Sequence, residues 1–422
     1  MNWRRAARNW PRCNLTFMKI IFQFLLLFTL AVSDSACRAE AATLKDAFAG
    51  KFLFGVALNE ATFTESNTVE AALVKQQFNC ISPENALKWS AVHPEPGIYD
   101  FNAADRYVKF GETNQMFIIG HNLIWHEQTP AWVFQDDHGR ELRGTNAADR
   151  SLLLRRMRDH IFAVVGRYRG KIGGWDVVNE ALADDGKLRE SPWLRILGPD
   201  YLRQAFAFAH EADPKAQLYY NDYGLENPAK RAGAIKLIRR LQSQGVPIFA
   251  VGLQGHYGLE TPPTNEVSDA IVAFARLGVK VMISELDVDV LPSAWDQSDA
   301  DVSKNFALKE KLNPYPNELP PEIQRQLAGR YADLFKVFLA HDDVVTRVTF
   351  WGVEDGDSWL NNWPVPGRTD YPLLFDRQCQ PKPAFYSVLA TVTKWMQPRV
   401  ATANSDQAAK SMSVAKQDLE PH

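Results

Sequence analysis

Gly173-Gly174-Trp175-Asp176-Val177-Val178-Asn179-Glu180 and Val279-Lys280-Val281-Met282-Ile283-Ser284-Glu285 are the stretches on which the reading of the fold turns. Each is a short, β-rich apolar run that stops at a carboxylate. Runs that stay largely apolar, instead of alternating, belong to strands buried on both faces. Further runs of this character are Phe52–Val56, Phe78–Ser82, Met116–His121, Gln217–Asn221, Ile248–Gln254 and Arg347–Gly352. Between them lie helix-like segments such as Ser151–Arg169, Tyr201–Ala212, Ala229–Gln244, Val267–Leu277 and Glu322–His341. In the last of these, Leu327, Tyr331, Leu334, Phe335 and Phe338 recur at helical spacing. Eight β–α alternations predict an α/β fold, a single (β/α)8 TIM barrel, with the functional site at the C-terminal ends of the strands. A doubly wound open sheet is the structural alternative. It gains no support, because no Gly-x-Gly-x-x-Gly follows the first strand.

The 422 residues are 46% hydrophobic and 23% charged, a globular composition long enough for one large core. A net charge of −3 lacks the basic footprint of a nucleic-acid partner. At the N-terminus, Arg4, Arg5, Arg8, Arg12 and Lys19 precede the apolar run Ile20–Val32, and small residues follow up to Ala41-Ala42. That run is shorter than the roughly 20 residues of a membrane span. Basic, then apolar, then small is the layout of a cleaved export signal; a signal-anchor is the alternative, and Met18 is a second candidate start. Residues 1–42 therefore read as export signal and basic leader, 43–398 as one barrel domain, and 399–422 as a disordered tail. The mature chain is expected to be secreted or periplasmic, free of the membrane, and monomeric. Cys80 and Cys379 read as small core residues, not as a bridge. Between Val290 and Glu322 a polar, proline-bearing loop follows the seventh strand, on the face where a cleft would be shaped.

Polar or aromatic residues end every strand from the second to the eighth. They include Glu84, Asn85 and Lys88; His121, Trp125, His126 and Gln128; Asn179 and Glu180; Asn221, Asp222 and Tyr223; Gln254 and His256; Glu285 and Asp287; Trp351 and Trp359. On a barrel they ring one mouth. Two carboxylates from different strands are the minimum apparatus for cleaving a glycosidic bond. Asn85, Gln128, Asn179 and Gln254 can both donate to and accept from sugar hydroxyls, and the indoles match sugar C–H faces. Structural alternatives stand beside each. Strand-end glutamates also form ion pairs; Trp125 and Trp351 could be core aromatics; His121 and His126 could be satisfied structural histidines; Glu84 and Lys88 could be a surface pair. No Cys/His spacing suits a metal, so neither metal nor cofactor is expected.

Taken in order, the blocks Phe78–Trp89, Gly120–Trp132, Trp175–Glu180, Gln254–His256 and Ile283–Asp287 resemble the family 10 glycoside hydrolases, the (β/α)8 endo-β-1,4-xylanases. Trp351–Val353 and Asp357–Leu360 complete the resemblance, which covers about residues 44 to 395. Ser284 stands where that family more often has Thr, Cys80 where Ser is common, and Asn122 falls within the third-strand block. The resemblance implies a secreted enzyme that cuts internal bonds of xylan and xylo-oligosaccharides with retention of configuration. Glu285 would be the nucleophile and Glu180 the general acid, later the base, with carboxyls about 5–5.5 Å apart. It further implies that His256 hydrogen-bonds Glu285, that Asp287 orients His256 in one tautomer, and that Asn179 binds the sugar 2-hydroxyl. Glu84, Asn85, Lys88 and His121 would hold sugars on the non-reducing side. Trp125, Gln128, Tyr223 and Gln254 complete the substrate-binding set. Trp351 and Trp359 would cap the site and disfavour a C6 hydroxymethyl group. A related β-glucanase or xylo-oligosaccharide hydrolase, and a non-catalytic carbohydrate-binding barrel, are the competing functions.

Overall fold

Helix starts are marked by short polar side chains that satisfy first-turn amides. Asn67, Asn146 and Asn227 accept from Glu70 N, Ala148 N and Ala229 N at 3.3, 2.8 and 2.9 Å. Pro228, Pro321 and Pro383 occupy first helical positions, where a missing N–H costs nothing. These signals open α1 (Thr68–Gln77), α3 (Ala147–Arg167), α5 (Pro228–Ser243), α7 (Pro321–Ala340) and α8 (Pro383–Met396). The other long helices are α2 (Asn102–Thr113), α4 (Tyr201–Ala212) and α6 (Thr264–Ala275). A computed structural model describes residues 43–294 and 306–397. The expected export signal and tail, and 295–305 of the long loop, lie outside the described residues.

The strands are β1 (Leu53–Leu58), β2 (Cys80–Pro83), β3 (Phe117–Ile124), β4 (Gly174–Asn179), β5 (Gln217–Asp222), β6 (Ala250–Leu253), β7 (His256–Gly258), β8 (Lys280–Asp289) and β9 (Val345–Phe350). β1 through β6 pair in sequence order, β6 pairs with β8, β8 with β9, and β9 returns to β1, all parallel. Eight strands thus close the predicted barrel. Closure removes every long edge. Inside, Gly252 on β6 must lack a side chain. A Cβ there would lie 2.2 Å from Asn221 Oδ1 on β5.

Two sequence expectations change. The seventh strand was expected to stop before Glu285, yet β8 runs on to Asp289. The added strand β7 explains this: it pairs with the extension in the register His256↔Asp287, Tyr257↔Val288, Gly258↔Asp289. Cys379 is also not a core residue. It is half-exposed, at φ 57 in a turn, with Glu70, Glu354 and Asp357 acting on it; Cys80 is fully buried, and both thiols are free.

An aromatic wedge seals helix to barrel. Phe335 on α7 lies 5.8 Å from Phe54 on β1, which lies 5.5 Å from Phe350 on β9; all three are essentially inaccessible. Each contributes about 1.5–3 kcal/mol by burial. A second stack joins α3 to the segment after β2. Trp89 lies 3.6 Å from His160 with planes 4° apart, His93 lies 3.9 Å from Tyr99, and the His93 and His160 Nδ1 atoms are 3.4 Å apart. Both imidazoles are held neutral. Burial pushes His93 down to about 4, and burial plus the neighbouring His93 pushes His160 well below the ordinary range.

The unfolded chain therefore takes up these protons first as pH falls below about 6.5, and the stack's contribution is lost progressively on acidification. For His93 the expected loss is on the order of 2 kcal/mol between pH 6.5 and about 5, and His160 adds a loss of the same sign. Denaturant unfolding across this range should give a shallower pH dependence for His160→Phe, which keeps a stacking ring; identical slopes for both proteins would contradict the assignment.

Candidate active site

Side chains on a strand alternate between faces, so two consecutive residues cannot normally share one face. At two strand ends this chain breaks the alternation. On β4 the register with both β3 and β5 shifts around Val177. Glu180, directly after the strand, takes φ 54. Asn179 and Glu180 consequently both face the mouth, with Asn179 Nδ2 3.4 Å from Glu180 Oε1. On β8 the register with β9 shifts between Ile283 and Leu286. Ser284 Oγ and the Glu285 carboxylate then reach the same amide, that of Asn221. Bulges of this kind re-aim side chains next to active sites.

Asn221 is wholly buried and spends its amide on three partners. Its Nδ2 donates to Glu285 Oε1 at 2.7 Å and to Asn179 Oδ1 at 2.9 Å, while its Oδ1 accepts from Ser284 Oγ at 2.6 Å. The sequence marks Asn221 only as a polar residue at a strand end. A polar residue closing a strand otherwise buried on both faces was the available signal.

The two glutamates have different surroundings. Glu180 is 7% exposed and accepts from Trp125 Nε1 and Gln254 Nε2, each at 2.9 Å. Glu285, 5% exposed, faces His256 Nε2 at 3.4 Å. Burial would raise its pKa, but the hydrogen bond from His256, the His121 and His256 charges and the Asn221 amide outweigh it and hold the carboxyl below the ordinary range. His256 Nδ1 lies 3.0 Å from Asp287 Oδ1, the contact set by the β7–β8 register, and Trp359 Nε1 donates to Asp287 Oδ2 at 2.7 Å. Burial lowers the imidazole's proton affinity, yet the two flanking carboxylates raise its pKa to about 10. Each ring nitrogen thus faces a carboxylate, which favours the protonated imidazole.

Around this centre, His121 Nδ1 lies 3.0 Å from Asp176 Oδ2, and Lys88 Nζ donates to Asn85 Oδ1 at 3.0 Å with Gln128 Nε2 3.4 Å from the same oxygen. Glu84, half-buried, is raised to about 7 by burial and the Asp357 charge, against the pull of Lys88. Tyr223 Oη donates to Asp184 Oδ1 at 2.8 Å. The half-buried Trp351 packs edge-on against His121 at 5.2 Å, and Trp359 stacks on Trp363 at 4.8 Å with planes 16° apart. Trp363 was not anticipated, since nothing in its local sequence distinguishes it from a loop aromatic.

These groups line a cleft of about 870 Å³. The cleft wall carries Glu84, Asn85, Lys88, His121, Trp125, Gln128, Asn179, Glu180, Tyr223, Gln254, His256, Glu285, Asp287, Trp351 and Trp359, whereas His126, Asn221 and Asp222, also at strand ends, do not line it. Val290 and Leu291 join them from the start of the long loop. The wall offers paired carboxylates, amides and indoles, the combination needed for acid–base and nucleophilic work on a hydroxyl-rich ligand.

Comparison with known proteins bears on this geometry. The sequence model of Glycosyl hydrolase family 10 matches residues 43–391. Endo-1,4-beta-xylanase A of Xylanibacter ruminicola is 42% identical, covering 88% of this chain and 99% of that protein. Beta-1,4-xylanase of Dictyoglomus thermophilum is 40% identical over 88% of this chain and 97% of its own length. Among solved structures, a GH10 endoxylanase retrieved from a sugarcane soil metagenome superposes with a TM-score of 0.79 and 44% identity, covering 82% of this chain and 99% of that one.

In Asp287→Asn, the imidazole loses its strongest carboxylate partner. The NMR titration of His256 should then move from about 10 down towards the ordinary histidine range. An unmoved midpoint would mean that the charge on Asp287 does not sustain the cation.

Proposed function

This chain belongs to glycosyl hydrolase family 10, and on that premise we propose that it is a secreted endo-β-1,4-xylanase that cleaves internal bonds of xylan and xylo-oligosaccharides with retention of configuration. The observation that carries the reading is the pair of mouth-facing glutamates with opposite support. Glu285 is held as an anion by Asn221 and the His256 cation. Glu180 is held by neutral donors, Trp125 and Gln254.

In the first step the Glu285 carboxylate attacks the anomeric carbon while Glu180 gives its proton to the departing glycosidic oxygen. In the second, Glu180 takes a proton from water, whose oxygen attacks the anomeric carbon and releases Glu285. Asn179, tied to Asn221, is read as the partner of the 2-hydroxyl, where contacts strengthen as oxocarbenium character develops. Asp287 is read as orienting both His256 and the Trp359 indole. Glu84, Asn85, Lys88 and His121 are assigned to sugars on the non-reducing side, with Gln128 beside Asn85 and Tyr223 across the cleft. Trp351 and Trp359 are assigned the cap that favours xylose over glucose. Residues 43–398 are read as the catalytic domain, acting as a monomer, with 1–42 as the export signal and 399–422 as a tail.

Linear β-1,4-xylan should yield a spread of short oligosaccharides, with β-glucan and carboxymethylcellulose untouched, and NMR of the first product should show the β-anomer. Xylose alone, faster release from glucan, or an α-anomer would each overturn part of the proposal. Glu180→Ala should slow xylan cleavage by at least about 10²-fold. It should spare kcat/KM for an activated aryl xylobioside, whose leaving group needs no proton; equal losses would remove Glu180 from the acid role.

A further inference from the structure

Glu180 has φ 54, a region a residue with a Cβ enters at a cost on the order of 1 kcal/mol and keeps only when its surroundings hold it there. Its amide donates to Asn221 O at 2.9 Å on β5. Its carbonyl accepts from Arg189 Nε at 3.2 Å. Arg189 comes back to that carbonyl because residues 181–189 fold into a narrow hairpin. Arg189 N donates to Ala181 O at 2.8 Å, Ala183 N to Lys187 O at 2.9 Å, and Leu182 bridges Leu188. The guanidinium is fixed in turn: Nη2 donates to Leu182 O at 3.1 Å and to Tyr223 Oη at 2.8 Å, and Tyr223 Oη donates to Asp184 Oδ1. One planar fork thus grips the carbonyls of residues 180 and 182 on either side of the turn. Arg189 is not among the described residues lining the cleft.

We infer that Arg189 is a positioning residue for the acid/base glutamate: it holds the backbone of Glu180 in the left-handed turn that brings consecutive residues 179 and 180 into one cleft. The inference rests on the proposed acid/base role of Glu180. The chemistry favours arginine over lysine, because a rigid fork can bind two carbonyls in fixed directions and a flexible ammonium cannot. Without the fork the turn relaxes, the carboxyl leaves its Trp125 and Gln254 donors, and proton delivery to the leaving oxygen suffers first. A displacement of about 1 Å at such a group costs on the order of 10²-fold.

The test compares kcat/KM, which reports the first bond cleavage, on phenyl and 2,4-dinitrophenyl β-xylobiosides. The proteins are wild type, Arg189→Lys, Tyr223→Phe and Glu180→Ala, each with its melting temperature recorded. Arg189→Lys is expected to lose about 10- to 100-fold on the phenyl substrate and under about 3-fold on the dinitrophenyl one. Tyr223→Phe leaves both backbone contacts and covers the case in which the lysine variant does not fold. It should show a smaller difference of the same sign. Equal losses on both substrates, or no loss on either, while Glu180→Ala keeps its strong leaving-group dependence, would overturn the role of Arg189 and leave that of Glu180 intact. Loss of leaving-group dependence in Glu180→Ala itself would instead overturn the underlying acid assignment.

Discussion

The Asn221 amide is the interaction on which the rest of the site depends. It is buried, so each of its hydrogen-bonding positions must find a protein partner or incur a desolvation cost of about 1–3 kcal/mol. Its partners come from β4 and β8, its own strand is β5, and β6 makes room with Gly252. Four strands must therefore sit in one register for a single side chain to be satisfied. The reverse also holds. Once that register is set, Asn179 and the Glu285 carboxylate have little freedom, because both are tied to the same nitrogen.

Burying Glu285 would ordinarily drive it towards its neutral form. A second charge prevents this. His256 lies between Glu285 and Asp287, each carboxylate favours its cationic form, and the cation in turn favours the anion of Glu285. Asp287 is not free to turn away, since its other oxygen receives the Trp359 indole. Electrostatics and the aromatic wall are thus one construction, and a change at Asp287 reaches both. Lys88 and Glu84 form a second ionisable pair in the cleft, where burial presses each towards neutrality and each resists that pressure in the other, Glu285 acting on Lys88 as well.

Most of this was legible before any tertiary structure. The eight strands and the clustering of Glu84, His121, Glu180, His256 and Glu285 at one mouth follow from where apolar runs end. In a parallel barrel all C-terminal ends open on one face. The extension of β8 to Asp289 was not legible. It depends on β7, a strand too short to announce itself. Asn221 was passed over because a buried amide and an ordinary strand-end asparagine look alike until their partners are known. The raised proton affinity of His256 was not legible for the same reason: it depends on how close the two carboxylates lie to the ring.

By itself, the sequence determined the succession of the eight barrel strands, the barrel they form and the residue types gathered at its mouth, because hydrophobic period and strand ends are local properties. Only the tertiary structure decided which of those residues touch. Hydrogen bonds between Asn221 and Glu285, between Trp125 and Glu180, or between Arg189 and the Glu180 carbonyl join separate segments. Their formation depends on strand register, on two bulges and on one left-handed residue. Those are set by the packing of the whole barrel, which no local stretch encodes.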